Sequence, residues 1–155
     1  MRWTIKDIDM YLKSADYVDS AIIPLIPFGL GSNIKSTVTM GEFIGMITNE
    51  LERQFKGRLL LLPQFTYMQD EEIETKKNKL FTWCTELKAN GIKHIFILTS
   101  DSEWKQIESI MEDMLIWLPA LPLEHLDDEA YNTMMKEQVN QLIPLFINMW
   151  REKNK

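Results

Sequence analysis

The stretch IKHIFIL at residues 92–98 decides the fold, because a nearly unbroken apolar run of this length is typical of a strand buried in a sheet. Three more apolar runs, at residues 21–25, 59–62 and 114–118, have the same character and alternate with amphipathic helical patterns. Strands spaced in this way pair in parallel through right-handed crossovers. The sequence therefore predicts an α/β fold, a three-layer sandwich with a mainly parallel four-stranded sheet and helices on both faces, in a strand order that the pattern leaves open.

Capping residues and apolar spacing locate the first helices. Ile5, Ile8 and Leu12 stand at helical spacing near the start of the chain, so a short opening helix is expected to pack against the first strand. Thr39 and Glu42 have the spacing of a capping box, which predicts that the next helix begins there.

The later helices carry similar signals. Asp70 is the predicted N-cap of the third helix, and residues 100–103 form a second capping box ahead of the fourth. A last helix is expected from about Asp128, with Pro144 as the site of a kink.

Composition limits the size and the partners of the protein. A chain of 155 residues that is 45% hydrophobic supports one core but not comfortably two, so we predict a single α/β domain over residues 1–155 with a frayed tail at 151–155. The net charge of −6 leaves no basic stripe, and we expect no nucleic-acid partner.

Targeting features also point to one compartment. The lone Cys84 has no partner for an internal disulfide, and residues 1–7 lack the apolar run of a secretory signal, so a cytoplasmic location is expected. Since no uncharged apolar stretch approaches the roughly 20 residues that cross a bilayer, we expect no integral membrane segment.

Ligand sites in open parallel sheets lie beyond the carboxyl ends of the strands. Glycines and small polar side chains collect at these ends, and a serine and an aspartate there stand next to a helix start. The candidate ligand-binding residues are Gly29, Gly31, Ser32, Asn33, Gln64, Ser100 and Asp101.

No catalytic set accompanies these residues. A dinucleotide fingerprint would need a third glycine where Ile34 stands, and the chain has no Gly-Lys-Ser/Thr triplet. Ser100 is better explained by helix capping than by nucleophilic attack, because the two histidines are His94, within a predicted buried strand, and His125, in a distant loop. We therefore predict no catalytic residues, no metal site and no cofactor, with Cys84 packing as a small apolar side chain.

Aromatic and methionine residues offer a different kind of site. Five tryptophans and ten methionines are generous for this length, and most are expected in the core. Those near the strand ends, and Met149-Trp150 on the last helix as a subunit contact, are the candidates for a partner surface. The strand-end aromatic residues are Phe28, Phe65, Tyr67 and Trp104.

Two stretches carry a family resemblance. MRW at residues 1–3, followed by YVDSAIIPL at residues 17–25, resembles the uncharacterised YpiF family of Bacillus-type bacteria over nearly the whole chain. That resemblance implies no activity and transfers no functional residue. The first strand, running into a proline and a polar loop, is also similar to creatininase-like amidohydrolases, but residues 28–32 and 99–101 lack the metal ligands expected there.

Two classes of function stay open from the sequence. The favoured one is a non-catalytic protein-interaction or regulatory module that binds a protein partner or forms a homodimer. The alternative is a small-molecule or anion-binding protein, or a cryptic hydrolase, with its site at the carboxyl ends of the strands. The missing catalytic groups argue against an enzyme without excluding one.

Overall fold

The computed structural model describes residues 1–152 as helices packed around one sheet. The helices are α1 (Ile5–Lys13), α2 (Ile34–Gln54), α3 (Ile73–Ala89) and α4 (Asp128–Glu152), and short 3-10 segments cover Ala15–Tyr17 and Ser102–Ile110. The strands are β1 (Ser20–Phe28), β2 (Leu59–Leu61), β3 (Phe65–Met68), β4 (His94–Thr99) and β5 (Met114–Trp117). Of the predicted tail, residues 151 and 152 belong to α4, and residues 153–155 lie outside the described part of the chain.

The sheet has the order β2-β1-β4-β5, and every pairing in it is parallel. Its fifth strand, β3, pairs with the second half of β1, whereas β2 pairs with the first half. The predicted four strands were therefore one too few, since β2 and β3 share one edge position. Pro63 lies between them and has no N–H to donate, which explains why the edge is interrupted there.

Helices cover both faces of the sheet, so the predicted three-layer α/β sandwich with a mainly parallel sheet is confirmed. Along the chain, β2 is added on one side of β1, and the connection after β3 then passes β1 to place β4 on its other side. Right-handed crossovers require opposite faces for these two connections. Accordingly, α2 packs with α4 on one face, whereas α3 packs on the other with α1 and the segment Ser102–Ile110.

Each face has its own hydrophobic core. On the α2 and α4 face, Phe146 stacks on Phe96 of the sheet with ring centroids 3.9 Å apart. On the α3 face, Trp104 is fully buried and meets Tyr67 edge-on at 5.3 Å. Phe65 and Tyr67 are buried as well, so among the predicted strand-end aromatic residues only Phe28 is exposed.

Several predicted helix starts were wrong. The helix α2 begins at Ile34, and the Thr39 hydroxyl donates to the Lys35 carbonyl inside it rather than capping a helix end. The helix α3 begins after Glu72 rather than at Asp70. The helix expected after β4 is a 3-10 segment whose start is capped by the Asp101 side chain.

The amino end of the sheet is closed by polar contacts. Arg58 makes a bidentate ion pair with Asp19, at 2.9 and 3.1 Å, and its guanidinium lies 4.1 Å from the ring centroid of Trp150. The Trp150 indole donates a 2.7 Å hydrogen bond to the Ser20 hydroxyl. Trp150 is therefore buried within its own chain and is not available for the subunit contact expected at Met149-Trp150. His94 is buried in β4, as predicted.

The first residue covers the outer edge of β2. The Met1 amino group donates to the Leu59 carbonyl at 2.6 Å, and the Leu61 N–H donates to the Met1 carbonyl at 2.7 Å. The same amino group forms a 2.9 Å ion pair with Glu52, which is buried in α2. These bonds occupy backbone groups of an edge strand that would otherwise be open to pairing with another chain.

Candidate functional site

At the carboxyl ends of the strands, the loop between β1 and α2 closes onto Gln69. The Gln69 side-chain oxygen accepts hydrogen bonds from Thr37 at 3.0 Å and from Asn33 at 3.3 Å. The Gln69 N–H donates to the Phe28 carbonyl at 2.8 Å. The sequence did not predict Gln69 as a site residue, because its hydrogen bonds to Asn33 and Thr37 depend on the pairing of β3 with the end of β1.

A second polar cluster lies where β3 and β4 end. The Tyr67 hydroxyl donates a 2.7 Å hydrogen bond to one Asp101 oxygen, and the other oxygen accepts from the Glu103 N–H at 3.1 Å. Burial raises the pKa of Tyr67 far above its ordinary value, and the Asp101 carboxylate raises it further. Tyr67 is therefore a fixed hydrogen-bond donor and not an acid that works near neutral pH.

Lys76 joins these two clusters. Its side chain is fully buried, and its amine donates to the Gln69 carbonyl at 2.9 Å and to the Glu103 carboxylate at 3.0 Å. The same nitrogen lies 5.0 Å from the centroid of the Tyr67 ring. These contacts provide hydrogen-bond acceptors for the buried Lys76 amine and connect α3 to the strand ends. Lys76 therefore has a structural role.

The seven predicted ligand-binding residues do not all meet. Asn33 contacts Gln69, and a Cβ built on Gly29 would lie 3.4 Å from the same oxygen. Ser100 and Asp101 are buried, whereas Gly31 and Ser32 are exposed in the loop. Gln64 lies against α2, with its amide nitrogen 3.3 Å from a Cβ built on Gly45.

No catalytic pair forms around these residues within the described chain. His94 begins β4 and Ser100 follows its last residue, so the two residues lie at opposite ends of the strand, about 20 Å apart by strand rise. His125 is exposed in the loop before α4. Among residues 1–152, no three His, Cys, Asp or Glu side chains are grouped as metal ligands.

A concave apolar surface lies elsewhere, between α1, β2 and α3 on the α3 face of the sheet. This apolar groove has a volume of about 890 Å³. We call it the α1/α3 groove, and its lining residues are Trp3, Ile8, Tyr11, Leu12, Leu60, Leu62, Pro63, Asn78, Phe81, Thr82, Trp83, Thr85, Glu86, Leu87, Asn90 and Ile92.

One wall of the groove is α1, which packs differently from its predicted orientation. Ile8 packs on the core as expected, but Ile5 and Leu12 are 82% and 68% exposed, so their predicted packing was wrong. The reason is Asp7, which faces inward and accepts the Arg2 N–H at 2.7 Å. That hydrogen bond lowers the pKa of Asp7. With Asp7 on the inward side, Ile5 and Leu12 lie on the opposite flank of α1, because successive residues of an α-helix are about 100° apart.

The other wall is α3, whose side chains form an apolar base and a polar rim. Phe81 and Trp83 are half-buried, and Trp83 meets Phe65 of the core edge-on at 5.0 Å. The rim follows one line of the helix at intervals of four residues, and its members are Asn78, Thr82, Glu86 and Asn90. An apolar base under a polar rim is the usual anatomy of a protein-binding surface.

The sequence held one signal of this groove. Within nine residues, α1 carries apolar side chains on its inward face and on one outer flank. A helix that is apolar around more than one face needs cover on more than one side. This pattern could have identified α1 as part of a binding surface. The groove itself depends on how α1 and α3 lie across β2.

The protein is a parallel α/β sandwich with an apolar groove and with a polar cluster at the strand ends, where the buried Ser100 hydroxyl has no hydrogen-bond partner among the described residues. The chain belongs to the family described as a protein of unknown function (DUF2487), whose model matches residues 9–150. It is 34% identical over 150 residues to the uncharacterized protein YpiF of Bacillus subtilis (strain 168), covering 97% of this chain and 98% of that relative.

These comparisons confirm the resemblance to YpiF and attach no activity to it. No solved structure matches the chain. The similarity to creatininase-like amidohydrolases stays a prediction. Within residues 1–152, every helix is too short or too polar to span a bilayer.

Proposed function

We propose that this protein is a non-catalytic protein-interaction module that takes an amphipathic helix in the α1/α3 groove. The observation that supports this most is the groove itself, a concave apolar surface of about 890 Å³ with a polar rim. Exposed apolar surface of this kind on a folded domain marks an interaction site. In keeping with its lone buried cysteine, we place its work in the reducing cytoplasm.

The shape of the groove fits a helix better than an extended strand. Its rim runs from Asn78 to Asn90 along α3, a length of about 18 Å at the rise of an α-helix. Two helices form its walls, and the neighbouring backbone edge of β2 is already occupied by Met1. An occupant would therefore bind through side chains, as helices do in grooves, and not by adding a strand to the sheet.

The polar groups at the strand ends support a role without catalysis. Asp101, Tyr67, Lys76 and Gln69 each bond to a neighbouring residue of the same chain. They hold β3, β4 and α3 in register, and that rigid frame fixes one wall of the groove. We therefore do not assign a substrate to this end of the sheet.

Site-specific crosslinking tests this function. A photo-reactive benzoylphenylalanine at Thr82, within the groove, is expected to trap a protein segment with apolar residues at helical spacing, identified by mass spectrometry. The same probe at Thr75 is the matched control, since Thr75 is exposed on α3 outside the groove. Phe81→Glu should reduce the Thr82 adduct on the order of tenfold, and Thr75→Glu should leave it unchanged.

The opposite results would remove the proposal. Equal adducts from Thr82 and Thr75, or no protein adduct at either position, would mean that the groove does not dock a helix. A small apolar molecule retained by the purified protein, released by Phe81→Glu and accompanied by no protein adduct, would instead assign the groove to ligand binding.

A further inference from the structure

We propose that the helix in the α1/α3 groove is α1 of a second copy, so that across a two-fold axis each chain places its α1 into the groove of the other. This inference rests on the proposed function and names its partner. The fold places the apolar groove directly beside a helix whose Ile5 and Leu12 side chains are largely exposed. Both belong to one face of the chain, which is the arrangement that a self-complementary interface needs.

The outer flank of α1 has the chemistry of a groove occupant. Ile5 and Leu12, which are seven residues apart, lie on the same side of the helix, and both are largely exposed. Trp3, at 57% exposure, extends the apolar surface beyond the start of the helix, and like Leu12 it also lines the groove of its own chain. This spacing matches the anchors that a docked helix places into a groove.

The dimensions agree as well. The nine residues of α1 span about 13 Å, and the rim of the groove spans about 18 Å, so a partner's α1 fits between its ends. Because α1 also forms a wall of its own groove, two α1 helices would lie side by side at the axis. Each chain then contributes one helix and one groove, which doubles the area that a single docking would bury.

The exposed charged side chains of α1 are Lys6, Asp9 and Lys13, which sum to one positive charge, whereas the rim of the groove carries one negative charge. Lys6 and Lys13 are exposed on α1, and seven residues separate them, as seven separate Ile5 from Leu12. Glu86 is exposed on the polar rim of the groove. A lysine on the inserted helix therefore meets a carboxylate on the rim, and we pair Lys13 with Glu86 of the other copy.

Sedimentation of the purified chain across a wide range of concentration tests the dimer. The wild-type chain is expected to associate as a dimer, and Leu12→Glu should weaken association on the order of tenfold or more, because it places a charge in the apolar contact. The control is Leu30→Glu, which alters an equally exposed leucine of the loop after β1 and should leave the dimer intact. Both sites are exposed, so both variants should keep the wild-type circular dichroism.

Charge exchange gives a second and more specific readout. Lys13→Glu alone and Glu86→Lys alone should each weaken the dimer, since each places like charges together at both ends of the interface. An equal mixture of the two variants should recover association, because each chain then meets an opposite charge on its partner. Lys6→Glu mixed with Glu86→Lys serves as the control for unspecific charge effects.

The outcomes separate this inference from the proposed function. The Thr82 crosslinker, in a mixture of isotopically light and heavy chains, should capture the α1 peptide of the other copy. A monomeric wild-type chain whose Thr82 still traps a helix of another protein would overturn the dimer and leave the function standing. A monomer that sediments with phosphatidylglycerol vesicles through Leu12 would overturn the dimer in favour of a membrane surface, and a monomer with no Thr82 adduct would overturn both proposals.

Discussion

The Tyr67 hydroxyl lies 2.7 Å from the Asp101 carboxylate, so a side chain of β3 binds directly to the residue that starts the segment after β4. The strand β1 lies between β3 and β4 in the sheet. The hydrogen bond therefore spans a central strand and fixes the two strand ends that flank it.

Tyr67→Phe should destabilise the protein by about 1–3 kcal/mol, because it removes the donor and leaves one oxygen of a buried carboxylate without its partner. Urea unfolding followed by circular dichroism measures the change. Tyr17→Phe is the matched control, since Tyr17 is exposed, and it should have almost no effect. Equal stability of the two variants would show that the Tyr67 contact contributes nothing.

Cys84 should make the protein less stable in alkali. Burial, and after it the nearby Asp113, raise the pKa of this thiol from 9.0 to about 12. Above about pH 9 the unfolded chain loses the thiol proton while the folded chain keeps it, so the unfolded state binds fewer protons and stability falls as pH rises. Urea midpoints from about pH 8 to pH 10 should fall more steeply for the wild type than for Cys84→Ala.

The same burial protects Cys84 from thiol reagents. Native protein should react with a disulfide reagent much more slowly than protein unfolded in urea, as measured by absorbance of the released thiolate. Rapid labelling of the native chain would show that the thiol is accessible and would contradict this assignment.

Glu52→Gln should cost about 3 kcal/mol. Glu52 is buried, its carboxylate lies 2.9 Å from the Met1 amino nitrogen, and the substitution leaves that cation without its charged partner. Glu50→Gln removes a surface pair with Arg53 and should cost less than about 0.5 kcal/mol. Chemical unfolding of the two variants measures the difference. Similar decreases in the free energy of unfolding would mean that the buried pair stabilises the protein no more than the surface pair does.

Two glycines should respond in opposite directions to alanine. A Cβ at Gly41 would lie 2.9 Å from Cγ2 of Ile26, too close for a methyl group, so Gly41→Ala should destabilise the contact between α2 and the sheet by about 1–3 kcal/mol. A Cβ at Gly57 would meet no atom within 4 Å, so Gly57→Ala should leave the thermal midpoint unchanged or raise it.

The sequence predicted the layers of the fold but only part of its sheet. The run at residues 92–98 is apolar enough to mark a buried strand by itself, whereas β3 has four residues, of which Thr66 and Met68 are exposed. Phe65 and Tyr67 alternate with Thr66 and Met68 as strand residues do, but four residues are too few to predict a strand, and the pairing with β1 is visible only in the fold. The start of α2 was missed because the spacing of Thr39 and Glu42 matches a capping box, although Asn33, a residue type that is common at N-caps, stands at the actual start.

The candidate site was harder to predict for a similar reason. Glycines and small polar residues at the strand ends indicated a binding site. In the structure, Gln69 and Lys76 form hydrogen bonds in that region, and no sequence motif pointed to either residue. The α1/α3 groove arises from two helices that stand far apart in the sequence. The apolar pattern of α1 indicates that more than one side of this helix packs against another surface. The location of the groove follows only from the packing of α1 beside α3.

The central position of β1 determines the order in which its neighbouring strands become available for pairing during synthesis. The strand β1 is among the first parts of the chain to be synthesised, but its two sides are completed by residues 59–68 and 94–98. A growing chain therefore carries an apolar strand that is unpaired on its β4 side until residue 98 has left the ribosome. Because such distant pairings slow folding and leave the strand open to aggregation, β1 is the segment of the nascent chain on which a chaperone would act.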